Sequence, residues 1–152
     1  MEIIQGLYLG TKIDSHNLIF LQSRQIKVII NVTNEIQFYK ECEKEGIQCI
    51  RVPVSDSFHE NDKEHHNLQY SYQFADLCKL IDNKLRQNIN VLVHCKHGKY
   101  RSTALIIAYI MYKLKTGVGE TYELLKSKYP LVKKKKHIFL SALEKWEYDL
   151  KK

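Results

Sequence analysis

The sequence predicts an α/β fold in which a central, mostly parallel, twisted sheet of about five strands is flanked by helices. Short apolar runs of the kind that a parallel sheet buries alternate with longer segments whose apolar residues recur at helical spacing. The last segments of the chain carry only helical patterns. The 152 residues contain no repeat and no Gly/Ser-rich linker, and this length is usual for one globular domain. We therefore predict a single domain over residues 1–152.

In the first half of the chain, each element is predicted from an apolar run and from the residue that ends it. Residues 28–32 form an apolar run typical of a buried strand, Gly46 suits the end of a helix, and Pro53 suits the end of a strand. The predicted elements are a hairpin of strands 3–4 and 7–9, a helix around 18–21, a strand 28–32, a helix 36–45, a strand 47–54 and a loop 55–67.

In the second half, helical periodicity dominates. Apolar residues recur every three or four positions between Leu68 and Leu85, and Gly117 is placed to cap the long apolar helix before it. The predicted elements are a helix 68–85, a strand 89–94, and helices 102–115, 120–128 and 137–150.

The composition favours an anionic partner and excludes a membrane span. Lys and Arg number 24 against 17 Asp and Glu, a net charge of +7, which attracts phosphoproteins, inositol lipids or RNA alike. The longest apolar run, 104–112, is far shorter than the ~20 residues of a membrane helix, so no stable membrane insertion is expected. The amino terminus lacks the basic start of a signal peptide, and we expect a cytoplasmic location, with the nucleus as the alternative.

The residues that carry chemistry follow the strand at 91–93. The segment His-Cys-Lys-His-Gly-Lys-Tyr-Arg-Ser, 94–102, leads directly into a helix, where free N–H groups and the helix dipole bind anions. Gly98 allows the bend that aims successive amides inward, and Arg101 offers a planar fork for two phosphate oxygens. Cys95 faces the same positive field, which favours its thiolate. A thiolate facing a bound phosphate is a nucleophile.

This segment resembles the H-C-x5-R-S/T signature of the cysteine-dependent protein phosphatases. The stretches Gly-Leu-Tyr-Leu-Gly at 6–10 and Val-Ile-Ile-Asn-Val-Thr at 28–33 are similar to those of the dual-specificity subgroup, and the similarity covers nearly the whole chain. The resemblance implies that one catalytic domain of this kind fills residues 1–152, and that it needs neither a cofactor nor a metal.

The resemblance also implies a role for each residue of the segment. Cys95 attacks phosphorus to form a phosphocysteine, Arg101 holds the equatorial oxygens, and Ser102 eases departure of the thiolate. His94 braces the loop rather than acting as a base. The remaining predicted phosphate-binding residues of the loop are Lys96, His97, Gly98, Lys99 and Tyr100.

In this family an aspartic acid on another loop protonates the leaving oxygen, and two residues are candidates here. The stretch Val-Pro-Val-Ser-Asp ending at Asp56 resembles the end of the strand that delivers this acid. Asp62 lies nearer the spacing from Cys95 that is usual in the family. We favour Asp56, because the end of a rigid strand positions a side chain better than the middle of a loop does.

Three substrate classes and one non-catalytic reading follow from the loop. The chain has no aromatic recognition loop that would deepen the pocket, so phosphotyrosine, phosphoserine and phosphothreonine in proteins are the leading substrates. Lys96 and Lys99 resemble the loops of inositol-lipid phosphatases, and His97-Gly98 resembles phosphatases of RNA 5′ ends. A module that binds phosphorylated partners without turnover is the remaining alternative, although such relatives generally lose the cysteine or the arginine.

Other signals receive structural interpretations. The acidic and histidine residues between His59 and His66 match no metal-ligand spacing and predict a solvated polar loop. The four lysines at 133–136 predict an exposed basic face, with guidance of an anionic substrate as the alternative. They stand where many relatives carry an Asn-containing turn that supports the active-site loop. Cys49 predicts a core thiol, with a protective disulfide to Cys95 as the alternative.

Overall fold

The structure is a computed structural model that describes residues 1–55, 58–130 and 137–152. Its centre is a five-stranded sheet in the order β1-β2-β5-β3-β4, in which β1 pairs antiparallel with β2 and the other neighbours pair in parallel. The strands are β1 Glu2–Ile4, β2 Leu7–Gly10, β3 Ile26–Asn31, β4 Gln48–Arg51 and β5 Asn90–His94. This confirms the predicted fold class.

Helices cover both faces of the sheet. One face carries the apolar cluster that Leu21 of the second helix forms with Tyr8, Ile29 and Leu92 of the strands. The other face carries the larger core, to which the four later helices contribute. The helices are α1 Lys12–Ser15, α2 Leu18–Ser23, α3 Lys63–Arg86, α4 Arg101–Leu114, α5 Val118–Lys126 and α6 Leu140–Leu150. Within the described ranges, none of them has the length and apolarity needed to cross a bilayer.

The parallel strands end at one edge of the sheet. Gly10 of β2 and Asn31 of β3 both lie opposite His94 of β5, and Arg51 of β4 lies opposite Asn31. The loops that leave these strands therefore gather around the loop that follows His94. In open α/β sheets this carboxyl edge is where ligands bind.

The helix predicted over 36–45 is wrong. Only one 3-10 turn, Lys40–Cys42, forms in that segment. Side chains hold its start in a non-helical course: Thr33 Oγ1 accepts from Ile36 N (3.0 Å), and Asn31 Nδ2 and Arg51 Nη2 both donate to Ile36 O (2.8 Å each). Apolar periodicity does not reveal such side-chain bonds to the backbone, which compete with helix formation.

Several element boundaries also differ from the sequence predictions; among them, the strand predicted over 47–54 forms only over Gln48–Arg51, and the helix predicted over 120–128 forms over Val118–Lys126. The segment predicted as a loop over 55–67 is helical from Lys63 onwards. Gly117 does not cap α4; the C-cap of that helix is Lys115, which lies in the left-handed region (φ 58°). Gly117 instead precedes α5, where Glu147 Oε1 accepts from Val118 N (2.6 Å). The final helix begins at Leu140 rather than at 137, and α1 was not predicted.

Candidate active site

The loop between β5 and α4 lies at the centre of the carboxyl edge. Gly98 adopts φ +67° inside this loop, and a Cβ there would lie 3.0 Å from the carbonyl oxygen of Gly10. Glycine is required by both the backbone angle and the close approach of the β2 strand end. The turn directs the N–H groups of Gly98, Lys99 and Ser102 toward the Cys95 sulfur.

These donors decide the ionisation of Cys95. The side chain is buried (3% exposed), and burial alone raises the pKa of its thiol. The Ser102 hydroxyl, 3.1 Å from Sγ, and the N–H groups of Ser102, Gly98 and Lys99 outweigh burial and lower the pKa below its ordinary value. These groups stabilise the thiolate, which is the form of cysteine that can act as a nucleophile.

The other three cysteines have the opposite environment. Burial raises the pKa of the Cys42 thiol to about 12 and also raises the pKa values of Cys49 and Cys78. Cys49 packs with the apolar cluster on the α2 face of the sheet, in which Cys42 is buried. Cys49 itself is partly buried and packs against this cluster, so its interpretation as a core thiol stays a prediction.

Arg101 is fully buried, and the orientation of its guanidinium is set by the segments that follow β3 and β4. Its Nη1 and Nη2 donate to the two carboxylate oxygens of Glu35 (2.8 and 3.0 Å), and Nη1 also donates to the Val54 carbonyl (3.0 Å). Tyr70 Oη donates to the Arg101 carbonyl (2.6 Å) from α3. The guanidinium is thus held in one direction by the segments after β3 and β4.

Sequence reasoning missed Glu35. The signal that could have suggested it is its position four residues after β3, the strand next to β5. The loops that follow neighbouring parallel strands lie at the same edge of the sheet. The Arg101 hydrogen bonds outweigh the burial of Glu35 and lower the pKa of its carboxyl group.

His94 is buried behind the loop. Its Nδ1 lies 3.0 Å from the Cys95 carbonyl oxygen, and burial lowers the pKa of the imidazole. A neutral ring bonded to the loop backbone suits the predicted bracing role and not that of a general base.

A second histidine supports the loop from the other side. His137 is 4% exposed, its Nδ1 accepts from Phe139 N (3.1 Å), and its Nε2 lies 3.1 Å from Thr103 Oγ1. Burial lowers the pKa of His137 to about 4, so the ring is neutral at pH 7 and its remaining proton lies on Nε2, which donates to Thr103. Thr103 Oγ1 in turn donates toward the carbonyls of Lys99 (2.8 Å) and Tyr100 (3.0 Å). These hydrogen bonds from His137 through Thr103 support the loop. His137 directly follows the lysines at 133–136, which lie outside the described residues.

The remaining predicted loop residues form its rim. Lys96, His97 and Lys99 are exposed, and Lys99 Nζ lies 5.3 Å from the ring centre of the half-buried Tyr100. Lys96 and Lys99 place positive charge at the exposed edge of the loop, and such charge favours anionic ligands.

Of the two candidate acids, Asp56 and Asp62, the structure describes only Asp62. Asp56 lies outside the described residues. Asp62 is exposed in the short turn that precedes α3, and its side chain makes no capping hydrogen bond. In the same region His66 stacks on Phe58, with ring centres 4.4 Å apart.

Replacing Glu35 with glutamine is expected to lower the free energy of unfolding by about 1 kcal/mol at about pH 7, a small effect because Glu35 is 45% exposed and water screens the pair. The folded-state pKa of Glu35 lies below the unfolded value of about 4.3, so the stabilisation is present above that pH and is lost as the pH falls through the folded pKa. Urea unfolding of both proteins should show their difference shrinking between about pH 5 and about pH 3.

The matched control is Glu41→Gln, which breaks an exposed ion pair with Lys44 and should change stability little at any pH. A wild-type advantage over Glu35→Gln that stays constant down to the lowest pH would contradict the assigned role of the Glu35 charge.

Replacing His137 with phenylalanine keeps a ring but removes both the bond to Thr103 and the acceptor of the Phe139 N–H. We expect the pKa of Cys95 to rise and kcat at neutral pH to fall about tenfold, the effect of losing one hydrogen bond. The pH dependence of Cys95 alkylation by iodoacetamide measures the thiol pKa directly. Thr103→Val should behave like His137→Phe, whereas Thr103→Ser should retain wild-type values. An unchanged Cys95 pKa in both His137→Phe and Thr103→Val would show that His137 and Thr103 only fill space and do not influence the thiol.

The fold and the site together define the class of proteins in which a strand-loop-helix turn surrounds a nucleophilic cysteine with phosphate-binding groups. Residues 7–148 match the family described as "Dual specificity phosphatase, catalytic domain", and the chain belongs to that family. This confirms the predicted resemblance.

Individual relatives agree with this assignment. The chain is 36% identical to human "Dual specificity protein phosphatase 9" over 129 residues, which is 84% of this chain and 31% of that protein. It is similar in structure to DUSP15, with 26% identity, a TM-score of 0.74, and coverage of 99% of this chain and 94% of that one. A human "tyrosine phosphatase-like serine/threonine/tyrosine-interacting protein" has 25% identity and a TM-score of 0.79, over 99% of this chain and 97% of that one. The chain spans about a third of the length of the first curated relatives it matches.

Proposed function

We propose that this chain is a cysteine-dependent protein phosphatase that hydrolyses phosphotyrosine, phosphoserine and phosphothreonine through a phosphocysteine intermediate. One observation carries the proposal: Cys95, with its lowered thiol pKa, shares a loop with converging N–H donors and with the buried guanidinium of Arg101. Membership of the dual specificity phosphatase family and the names of the curated relatives support it.

In the first chemical step, the Cys95 sulfur attacks phosphorus and the bond to the substrate oxygen breaks. The loop N–H groups and Arg101 stabilise the charge on the three equatorial oxygens of the phosphoryl group as it is transferred. An acid protonates the departing alkoxide or phenoxide, and the dephosphorylated protein leaves while the phosphoryl group remains on sulfur.

In the second step, water attacks the phosphocysteine and the S–P bond breaks, releasing inorganic phosphate and the Cys95 thiolate. The Ser102 hydroxyl, 3.1 Å from Sγ, donates a hydrogen bond to the sulfur as its negative charge returns. The same bond that lowers the thiol pKa in the free protein therefore also favours its departure.

We assign the role of general acid to Asp56. Val54, two residues earlier in the sequence, contacts Arg101 through its carbonyl oxygen, so the segment that leads to Asp56 reaches the phosphate-binding arginine. The carboxylic acid gives its proton to the leaving oxygen and then accepts one from the attacking water.

The favoured substrate class is tested by phosphate release from four compounds at equal concentration. These are a phosphotyrosine peptide, a phosphothreonine peptide, a phosphatidylinositol phosphate and a triphosphate-ended RNA, each with wild type and with Cys95→Ser. Preference for the two peptides, lost in the variant, supports the proposal. Preference for lipid or RNA contradicts it and makes Lys96, His97 and Lys99 specificity determinants. Binding of phosphopeptide without turnover of any compound indicates the non-catalytic module.

A further inference from the structure

An apolar groove lies beside the active-site loop and is used by no step of the proposed reaction. Its volume is about 640 Å³. Ile13 and Ile19, on its α1 and α2 side, are 71% and 79% exposed, the highest values among the large hydrophobic residues that the structure describes. The lining residues are Lys12, Ile13, His16, Asn17, Leu18, Ile19, Ile36 and Gln37. Strongly exposed isoleucines that line one shallow surface groove are typical of a binding site.

Both walls of the groove are continuous with the active site. On one side, Lys12 N donates to the carbonyl of Lys96 in the phosphate-binding loop (3.2 Å). On the other side, Ile36 directly follows Glu35, which holds the Arg101 guanidinium. The groove therefore adjoins the loop into which the phosphorylated residue of a protein would enter.

The shape of the groove is set by contacts of its own walls. His16 Nε2 lies 2.9 Å from the Gln37 carbonyl oxygen and joins the α1 side to the segment after β3, and the His16 ring stacks on Tyr39 with ring centres 5.5 Å apart. Asn17 Oδ1 accepts from Phe20 N (3.1 Å) and fixes the start of α2. A preformed groove binds a side chain without first paying to order its walls.

The chemistry of the lining selects the occupant. Beside the apolar residues, the lining contains one lysine, one histidine and two amides, and it contains no carboxylate. An aliphatic side chain would lose water contact here, and nothing in the lining repels a phosphorylated, negatively charged chain.

We propose that this groove binds a bulky aliphatic residue located a few positions from the phosphorylated residue of a protein substrate. This inference rests on the proposed protein phosphatase function and adds a sequence preference to it. The groove thereby selects among phosphoproteins, which the small phosphate-binding loop alone does not do.

The test uses phosphotyrosine peptides in which a single leucine is moved through the four positions on each side of the phosphorylated residue in a serine background. We expect one or two neighbouring positions to raise kcat/KM about tenfold with the wild type, the gain from partly burying one leucine. The double variant Ile13→Ser/Ile19→Ser should lose this gain, because both isoleucines would be polar. Its activity on a small aryl phosphate, which does not reach the groove, should equal that of the wild type.

The matched control is Leu124→Ser, which removes a 50% exposed leucine from α5, on the other side of the sheet. It should keep the leucine preference. Equal kcat/KM for all peptides, or a preference retained by the double variant, would overturn the inference. So would self-association of the wild type, seen by sedimentation, that the double variant lacks, since the groove would then be covered by a second copy. If the wild type does not turn over the aryl phosphate at all, this result would instead contradict the proposed function.

Discussion

Replacing Cys95 with serine is expected to lower turnover about 10,000-fold or more while leaving phosphopeptide binding intact. A serine hydroxyl in the same position is not ionised near pH 7, so the loop N–H groups and Ser102, which lower the pKa of the thiol, cannot supply a nucleophile. The phosphate-binding groups, including Arg101, are unchanged. Phosphate release from an aryl phosphate measures turnover, and calorimetry with a phosphotyrosine peptide measures binding.

Cys49→Ser is the matched control, because Cys49 has a raised thiol pKa and packs on the opposite side of the sheet from the main core. It should retain wild-type turnover. Substantial activity of Cys95→Ser, or equal losses from the two variants, would contradict a phosphocysteine mechanism. Rapid trapping of the wild type during turnover should also reveal phosphate bound covalently to sulfur.

Replacing Asp56 with asparagine is expected to lower kcat about 100- to 10,000-fold, the usual contribution of general acid-base catalysis. The loss should depend on the leaving group, because a nitrophenolate leaves with little protonation whereas a serine or threonine alkoxide needs a proton. The largest effect is therefore expected on a phosphothreonine peptide and the smallest on nitrophenyl phosphate. Steady-state kinetics with both substrates measure this difference, and the basic limb of the kcat/KM pH profile, where a general acid loses its proton, should disappear in the variant.

Asp62→Asn provides the comparison, because Asp62 is exposed in the turn before α3. Its kcat should remain near that of the wild type on both substrates. A large loss from Asp62→Asn alone would transfer the role of acid to that residue. Equal losses from both variants would contradict the assignment of a single acid.

Much of the fold was predictable because its strands and its long helices bury continuous or periodic apolar residues. The runs that became β3 and β5 and the pattern between Leu68 and Leu85 are of this kind, and all three were placed within a few residues of their observed bounds. The segment 36–45 was not predictable from periodicity. Its course is set by the side chains of Asn31, Thr33 and Arg51, two of which precede it and one of which comes from the next strand.

The candidate site divides in the same way. The loop from Cys95 to Arg101 was predictable, because its cysteine, its glycine turn and its arginine are neighbours in the chain. Its surroundings were not predictable: Glu35 on the Arg101 guanidinium, His137 behind Thr103, and the groove that Lys12 lines. The physical reason is that these partners lie far away along the chain, and only the pairing of parallel strands and the packing of helices on the sheet bring them within hydrogen-bonding distance.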